Sequence, residues 1–327
     1  MPRSAARAAM KVFLIVNASA SSVTPRGRVL IQSALSHDHE VVAAETTRRG
    51  HATRLARGAV ADGAEAVVVL GGDGTLNEAA NGLAGSNTVL GAIPAGSTNV
   101  FARTIGMTND PIDATAELLN AMHRGSKKRI GLGKANDRYF LFHVGIGFDA
   151  AVVEQVERRA SLKRYAGHPL FVWTTLLTWA RHAGTKTPRF AVNFATGAGA
   201  DSVGTRSSKA PTAVDGFLTI CMNSNPYTFW GNRPFNVAPG LTLGDGLTVL
   251  TIRSLQLPTM AAVIVSALGA GTYLQKHGRT DFRTGVKSCE ITGYGEFPYQ
   301  LDGDYLGDVT SLTLSHDPQV LDVFMPL

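Results

Sequence analysis

Two stretches, KVFLIVN (11–17) and AEAVVVLGGDG (64–74), are apolar without alternation. A strand wet on one side alternates polar and apolar residues. A continuous apolar run is buried on both faces, as the strands of parallel sheets are. Residues 26–35 and 53–62, between the two runs, have helical character. This strand–helix–strand order predicts an α/β N-terminal domain built on a parallel sheet.

The second run ends in glycine. In TLNEAANGLAG (75–85), Leu76, Ala79, Ala80 and Leu83 fall at i, i+3, i+4 and i+7, one face of a helix, and Gly85 is a stop signal. Gly71, Gly72 and Gly74 therefore sit between a strand end and a helix start. The first N–H groups of that helix lack partners and the helix dipole is positive there, so bare backbone lets a phosphate approach. Asp73 stands among the glycines, and its charge would repel a phosphate. It calls for Mg²⁺ or a lysine nearby, for a role accepting from a substrate hydroxyl, or for plain helix capping. The stretch is neither G-x-x-x-x-G-K-[ST] nor G-x-G-x-x-G, so it matches neither a P-loop nor a dehydrogenase fingerprint. A second strand–loop–helix, TVLGAIPAGSTNVFARTIG (88–106), offers Gly96, Ser97, Thr98 and Asn99 at another expected helix start.

The chain has 327 residues and a net charge of +6. That length suits two domains. The charge suits nucleotide phosphates or an acidic membrane surface without choosing between them. Cys221 and Cys289, the only cysteines, make neither a disulfide framework nor a zinc site, and a reducing, cytoplasmic compartment is expected. The apolar run 12–16 is too short for a signal peptide, and Met10 is a second candidate start. The longest apolar segment, 259–274, reads as a buried helix rather than a membrane span. His51, His143 and the other histidines lack metal-ligand spacing.

From about residue 131 the pattern changes to short runs such as RYFLFHVGIG, GFLTICMNS and KSCEITGYG, separated by Gly, Pro, Asn and Asp, which predicts antiparallel β-structure. A helical segment at 149–184 interrupts it, first basic (Arg158, Arg159, Lys163, Arg164), then aromatic (Phe171, Trp173, Trp179). It suits either a membrane interface or a core helix with a solvated basic face.

The ordered set GGDGTLNEAANGL, IPAGSTNVFAR, ETTRRGHA (45–52), GIGFDAAVVEQV (145–156), LTLGDGLTVL (241–250) and LDGDYLG (301–307) resembles the diacylglycerol kinase catalytic domain family, which includes bacterial lipid kinases and sphingosine kinases. The resemblance implies an NAD kinase-like α/β domain over 10–131 and a C-terminal antiparallel β-sandwich over 132–317, with the nucleotide cleft between them. Residues 318–327 would return to the first domain. It implies an ATP- and Mg²⁺-dependent kinase acting on a diacylglycerol-like lipid at a peripheral membrane surface, with no nucleic acid partner and with a homodimer allowed. Its nucleotide site would comprise Asn17, Ser19, Thr47, Gly71, Gly72, Asp73, Gly74, Thr75, Gly96, Ser97 and Thr98, although Ala18 replaces the family's proline. Asp73 and Asp149 would serve the phosphate–Mg²⁺ end. Asp304 would be the base, one methylene shorter than the family's glutamate, with Asp302 as its alternative. Asp245, with Thr242 and Leu247, would hold a structural Mg²⁺. An NAD kinase shares GGDGT but leaves the later motifs unexplained, and a non-catalytic nucleotide- or lipid-binding protein is the third reading.

Overall fold

The computed structural model describes residues 9–18, 20, 22, 24–157, 187–195, 212–272, 274–275 and 277–327. They fall into two compact units. One runs to Ile130 and regains Gln319–Leu327, and the other is Gly131–Pro318.

In the first unit β1 (Lys11–Asn17), α1 (Pro25–Asp38), β2 (Glu40–Thr46), α2 (His51–Ala61), β3 (Ala66–Gly71), α3 (Asp73–Leu83) and β4 (Val89–Pro94) alternate, followed by α4 (Val100–Thr104) and α5 (Pro111–Arg124). The strands are parallel, in the order β4-β3-β1-β2. Every residue of β3 and β4 is buried, whereas β2 is an edge strand with much of its surface exposed. Leu76, Ala79, Ala80 and Leu83 are all buried on α3, the face their spacing predicts. The last turns of the chain complete the sheet, with Val323 lying parallel to Leu90. Lys127 and Arg129 both reach the carboxylate of Asp322, each at 3.5 Å.

The second unit holds β5 (Lys127–Ala135, which enters from the first), β6 (Arg138–Phe140), β7 (His143–Gly147), α6 (Phe148–Glu157), β8 (Phe190–Phe194), β9 (Ala213–Gly216), β10 (Leu218–Met222), β11 (Thr228–Trp230), β12 (Arg233–Phe235), β13 (Leu247–Ile252), α7 (Leu257–Leu268), β14 (Thr280–Val286), β15 (Ser288–Leu301) and β16 (Asp304–Phe324, which leaves for the first). Strands β14-β13-β10-β7-β15-β16 form an antiparallel ladder. The long β15 breaks register between Thr292 and Phe297. Its end pairs with β7 and its start with β8, so it belongs to both layers of a β-sandwich. Alternation along β13 divides the core: Leu247 and Val249 join one cluster, Leu250 and Ile252 the other. The second cluster is roofed by α6 and α7 through Phe148, Val152, Met260, Val263 and Ala267. Cys221 and Cys289 are free, buried members of the first cluster.

Two expectations are modified. The apolar run 259–274 forms a helix, but over Leu257–Leu268, and Val265 on it is 71% exposed. The helix's two polar residues, Thr259 and Ser266, are buried, so polarity along the sequence does not mark the side that faces water. Of the segment 149–184, the helix is described to Glu157, and its basic and aromatic parts lie outside the described residues. No described helix is long and apolar enough to cross a membrane.

Candidate active site

Parallel strands bring all their carboxyl ends to one edge of the sheet. Asn17 ends β1, Thr47 follows β2, Gly71 ends β3, and Gly96–Thr98 follow β4. The first unit thus gathers these residues along one edge. Ser19 lies outside the described residues. The chain leaves β1 for β2 on one side, while β3 and β4 lie on the other. The switch point, where open α/β sheets bind ligands, is therefore between β1 and β3. A small open cleft of about 100 Å³ is lined there by Val16, Asn17, Ala18, Thr24, Pro25, Arg28 and Leu70.

Local contacts hold the loops together. Asn17 Nδ2 donates to Thr75 Oγ1 at 3.0 Å. Ala95 N donates to Gly71 O at 2.9 Å. A Cβ on Gly96 would stand 2.8 Å from the Gly72 Cα, so the two loops touch backbone to backbone. Asn99, in the left-handed region at φ 52°, accepts from Gly96 N and donates to Gly96 O and Asn109 Oδ1. Exposed Thr47 meets the His51 ring at 3.1 Å.

Asp73 crosses between the loops. Its Oδ2 accepts from Val100 N at 2.9 Å and its Oδ1 from Phe101 N at 3.0 Å. It begins α3 but caps α4. Burial raises its pKa, opposed by the amides of Val100, Phe101 and Asn99 and by the charge of Arg103. The carboxylate among glycines thus spends its charge on a neighbouring helix start, and two amides of the second loop are committed to it. Glu78, which sequence reasoning gave no role, plays the same part for α2, accepting from Gly50 N at 2.7 Å and Ala52 N at 3.1 Å.

In the second unit, LDGD is a two-residue hairpin turn. Asp302 and Gly303 both have positive φ, 50° and 86°, and Leu301 pairs with Asp304. Asp302 is buried, and its carboxylate accepts from three successive amides, Leu141, Phe142 and His143, at 2.7, 3.0 and 3.0 Å. Asp304 is the half-exposed carboxylate of the turn, 3.9 Å from the Arg138 guanidinium. Asp149 Oδ1 accepts from the Tyr227 hydroxyl at 2.7 Å and Oδ2 from Gln300 Nε2 at 2.8 Å. Burial raises the Asp149 pKa against these two bonds. Gln300 Oε1 accepts from Gly303 N at 2.8 Å, so one fully buried side chain ties Asp149 to the LDGD turn. A Cβ on Gly145 would lie 1.6 Å from Asp149 Oδ2, which explains glycine at that position of GIGFDA. Tyr227 and Gln300 were missed in the sequence. The only available signal was a glutamine in an otherwise apolar strand end.

Asp245 sits in an exposed turn, its Oδ2 accepting from the Thr242 backbone N–H and hydroxyl. Leu247 begins the buried strand β13. No group of three or more His, Cys, Asp or Glu with metal-binding geometry occurs among the described residues. A single exposed carboxylate in a turn suits at most Mg²⁺ that keeps most of its water, not an all-protein cage.

The architecture defines a two-unit protein with an NAD kinase-like α/β unit and an antiparallel β-sandwich. Residues 11–135 match the diacylglycerol kinase catalytic domain. The chain is 38% identical over 104 residues to a Bacillus subtilis diacylglycerol kinase (31% of this chain, 33% of the relative). It is 36% identical over 105 residues to one from Staphylococcus aureus strain JH9 (32% of each). The match therefore spans about a third of the length of these curated relatives. Among solved structures, a Bacillus anthracis diacylglycerol kinase superposes over 97% of both chains with a TM-score of 0.65 and 19% identity. An Archaeoglobus fulgidus NAD kinase in complex with ATP superposes over 96% of this chain and 94% of its own, with a TM-score of 0.51 and 10% identity.

Proposed function

We propose that this protein is an ATP-dependent lipid kinase that phosphorylates the free hydroxyl of a diacylglycerol-like lipid to give a phosphatidic acid. The observation that carries the reading is the edge of the first sheet. Asn17, Thr47, Gly71–Thr75 and Gly96–Thr98 gather at the carboxyl ends of its strands, inside the segment that matches a diacylglycerol kinase catalytic domain.

In this reading the glycine loops and the Ser97, Thr98 and Thr47 hydroxyls bind the triphosphate through backbone and hydroxyl donors. Asp73, with each oxygen accepting a main-chain N–H, fixes the spacing of the two loops. The lipid oxygen attacks the γ-phosphorus, the bond to the β–γ bridging oxygen breaks, and ADP leaves. Asp304 takes the hydroxyl proton, being the half-exposed carboxylate of its turn, whereas three amides occupy Asp302. Asp149, held by Tyr227 and Gln300, orients the turn through Gly303. Mg²⁺ would neutralise phosphate charge, and Asp245, Thr242 and the main chain of Leu247 would hold a structural ion. The enzyme works peripherally at a membrane, because acyl chains cost about 0.8 kcal/mol per CH₂ to expose.

The test is a lipid-extract screen with γ-labelled ATP and identification of the labelled product, alongside NAD as acceptor. Labelled lipid is expected, with Asp304→Ala slower by roughly 10²–10⁴-fold. Wild-type turnover in that variant removes Asp304 from the mechanism. Labelled NAD would favour the NAD kinase reading, and ATP binding without turnover a non-catalytic one.

A further inference from the structure

The side of α7 away from the core is apolar and open. Leu257, Ile264, Val265 and Leu268 are 61%, 42%, 71% and 49% exposed, and Ala261 is exposed between them. Their spacing, i, i+4, i+7, i+8 and i+11, puts them on one stripe, while Met260, Val263 and Ala267 on the other side are buried. The helix LPTMAAVIVSAL has no charged residue.

Segments that carry basic and aromatic residues meet the two ends of this helix. At its N-terminal end, exposed Arg253 donates its N–H to Arg279 O at 2.9 Å, and the Arg279 guanidinium hydrogen-bonds Gln256 and reaches Thr259 Oγ1. At its C-terminal end, Asn236 N donates to Ala267 O at 2.7 Å and Asn236 Nδ2 to Gly269 O at 3.2 Å. Asn236 directly follows the β11–β12 hairpin, which carries Trp230, 51% exposed, and exposed Arg233. From residue 216 to 280 the sequence has one acidic residue, Asp245, against Arg233, Arg253, Lys276 and Arg279.

We infer that the α7 stripe, with Trp230 and the flanking arginines, is a docking surface for an anionic lipid bilayer. A charge-free apolar helix face, an interfacial Trp and a basic surround are what such a surface needs. Charge favours lipid over a second copy of the chain, because a two-fold contact brings identical arginines together, whereas anionic headgroups pair with them. The inference rests on the lipid-kinase reading only for the reason the protein visits a bilayer.

The test is co-sedimentation of the full chain with phosphatidylglycerol–phosphatidylcholine vesicles, comparing wild type with the double variant Ile264→Glu/Val265→Glu and with Arg253→Gln/Arg279→Gln. Thermal unfolding and turnover on dispersed short-chain diacylglycerol accompany it. The double Glu variant is expected to partition on the order of tenfold more weakly, with its unfolding midpoint kept. The arginine variant is expected to lose affinity for anionic vesicles only. Equal binding by wild type and the double variant overturns the inference, as does no binding by wild type. A wild-type dimer that the double variant converts to monomer overturns it too, since a second copy then covers the stripe. If the vesicle results hold while the wild type phosphorylates no lipid, the surface stands and the kinase reading falls.

Discussion

Changing Gly96 to alanine tests whether the two glycine loops must touch. The added Cβ would stand 2.8 Å from the Gly72 Cα and 3.0 Å from Asn99 Oδ1. One neighbour is main chain. The other is an oxygen already accepting from Gly96 N, so neither is the free end of a flexible side chain. Reaching the usual 3.5–4.0 Å between carbons requires the loops to part by roughly 0.7–1.2 Å. Overpacking of this kind costs about 1–3 kcal/mol. At about 2–4 °C per kcal/mol for a unit of this size, the unfolding midpoint should drop measurably. Displacement by about 1 Å also misplaces bound phosphates, a shift that can cost about 10²-fold in rate. Gly58→Ala is the matched control. Gly58 is exposed within α2 and has nothing within 4 Å of an added Cβ, so helix propensity alone should stabilise the variant by up to about 1 kcal/mol. Differential scanning calorimetry and isothermal titration with ATP read both effects. A Gly96→Ala protein with the wild-type midpoint and wild-type ATP affinity would refute the loop-contact argument.

Two further predictions concern buried polar groups. Asp73→Asn keeps one acceptor but turns an NH₂ toward a backbone N–H, either Val100 or Phe101, so urea unfolding should show a loss of about 1–3 kcal/mol. Unchanged stability would mean that the carboxylate does not bridge the loops. His143 is buried against the Tyr227 ring, neither ring nitrogen has a hydrogen-bond partner among the described residues, and burial lowers its pKa to about 3. Because its folded pKa lies below the unfolded 6.5, its contribution is fully present above pH 6.5 and is lost as pH falls toward 3. At up to about 1.36 kcal/mol per pH unit, the wild type should lose about 2 kcal/mol more than His143→Leu between pH 6.5 and 4.5. Parallel pH profiles for the two proteins would contradict this.

The sheet of the first unit was legible because β1 and β3 are unalternating, because β3 ends in glycine, and because Leu76, Ala79, Ala80 and Leu83 keep helical phase. The same sequence hid what its carboxylates touch. Asp73 meets amides 27 and 28 positions away, and Asp302 meets amides about 160 positions away. Backbone donors have no residue type, so no motif can announce them. Glu78 and Gln300 were hidden for a related reason: each is defined by an element brought close in space, not by its neighbours in sequence. The α7 stripe was obscured differently, since the helix's polar residues, Thr259 and Ser266, are buried while Leu257, Ile264, Val265 and Leu268 are exposed.

The final turns of β16 have a consequence for synthesis. Val323 pairs beside Leu90, Gly85 N donates to Val320 O at 2.8 Å, and Met325 N donates to Ser126 O at 3.1 Å. A ribosome makes these residues only after the whole second unit, so the unit begun first is finished last. Until then the nascent chain carries an unpaired, wholly apolar β4 margin, a sticky edge at risk of mispairing during translation.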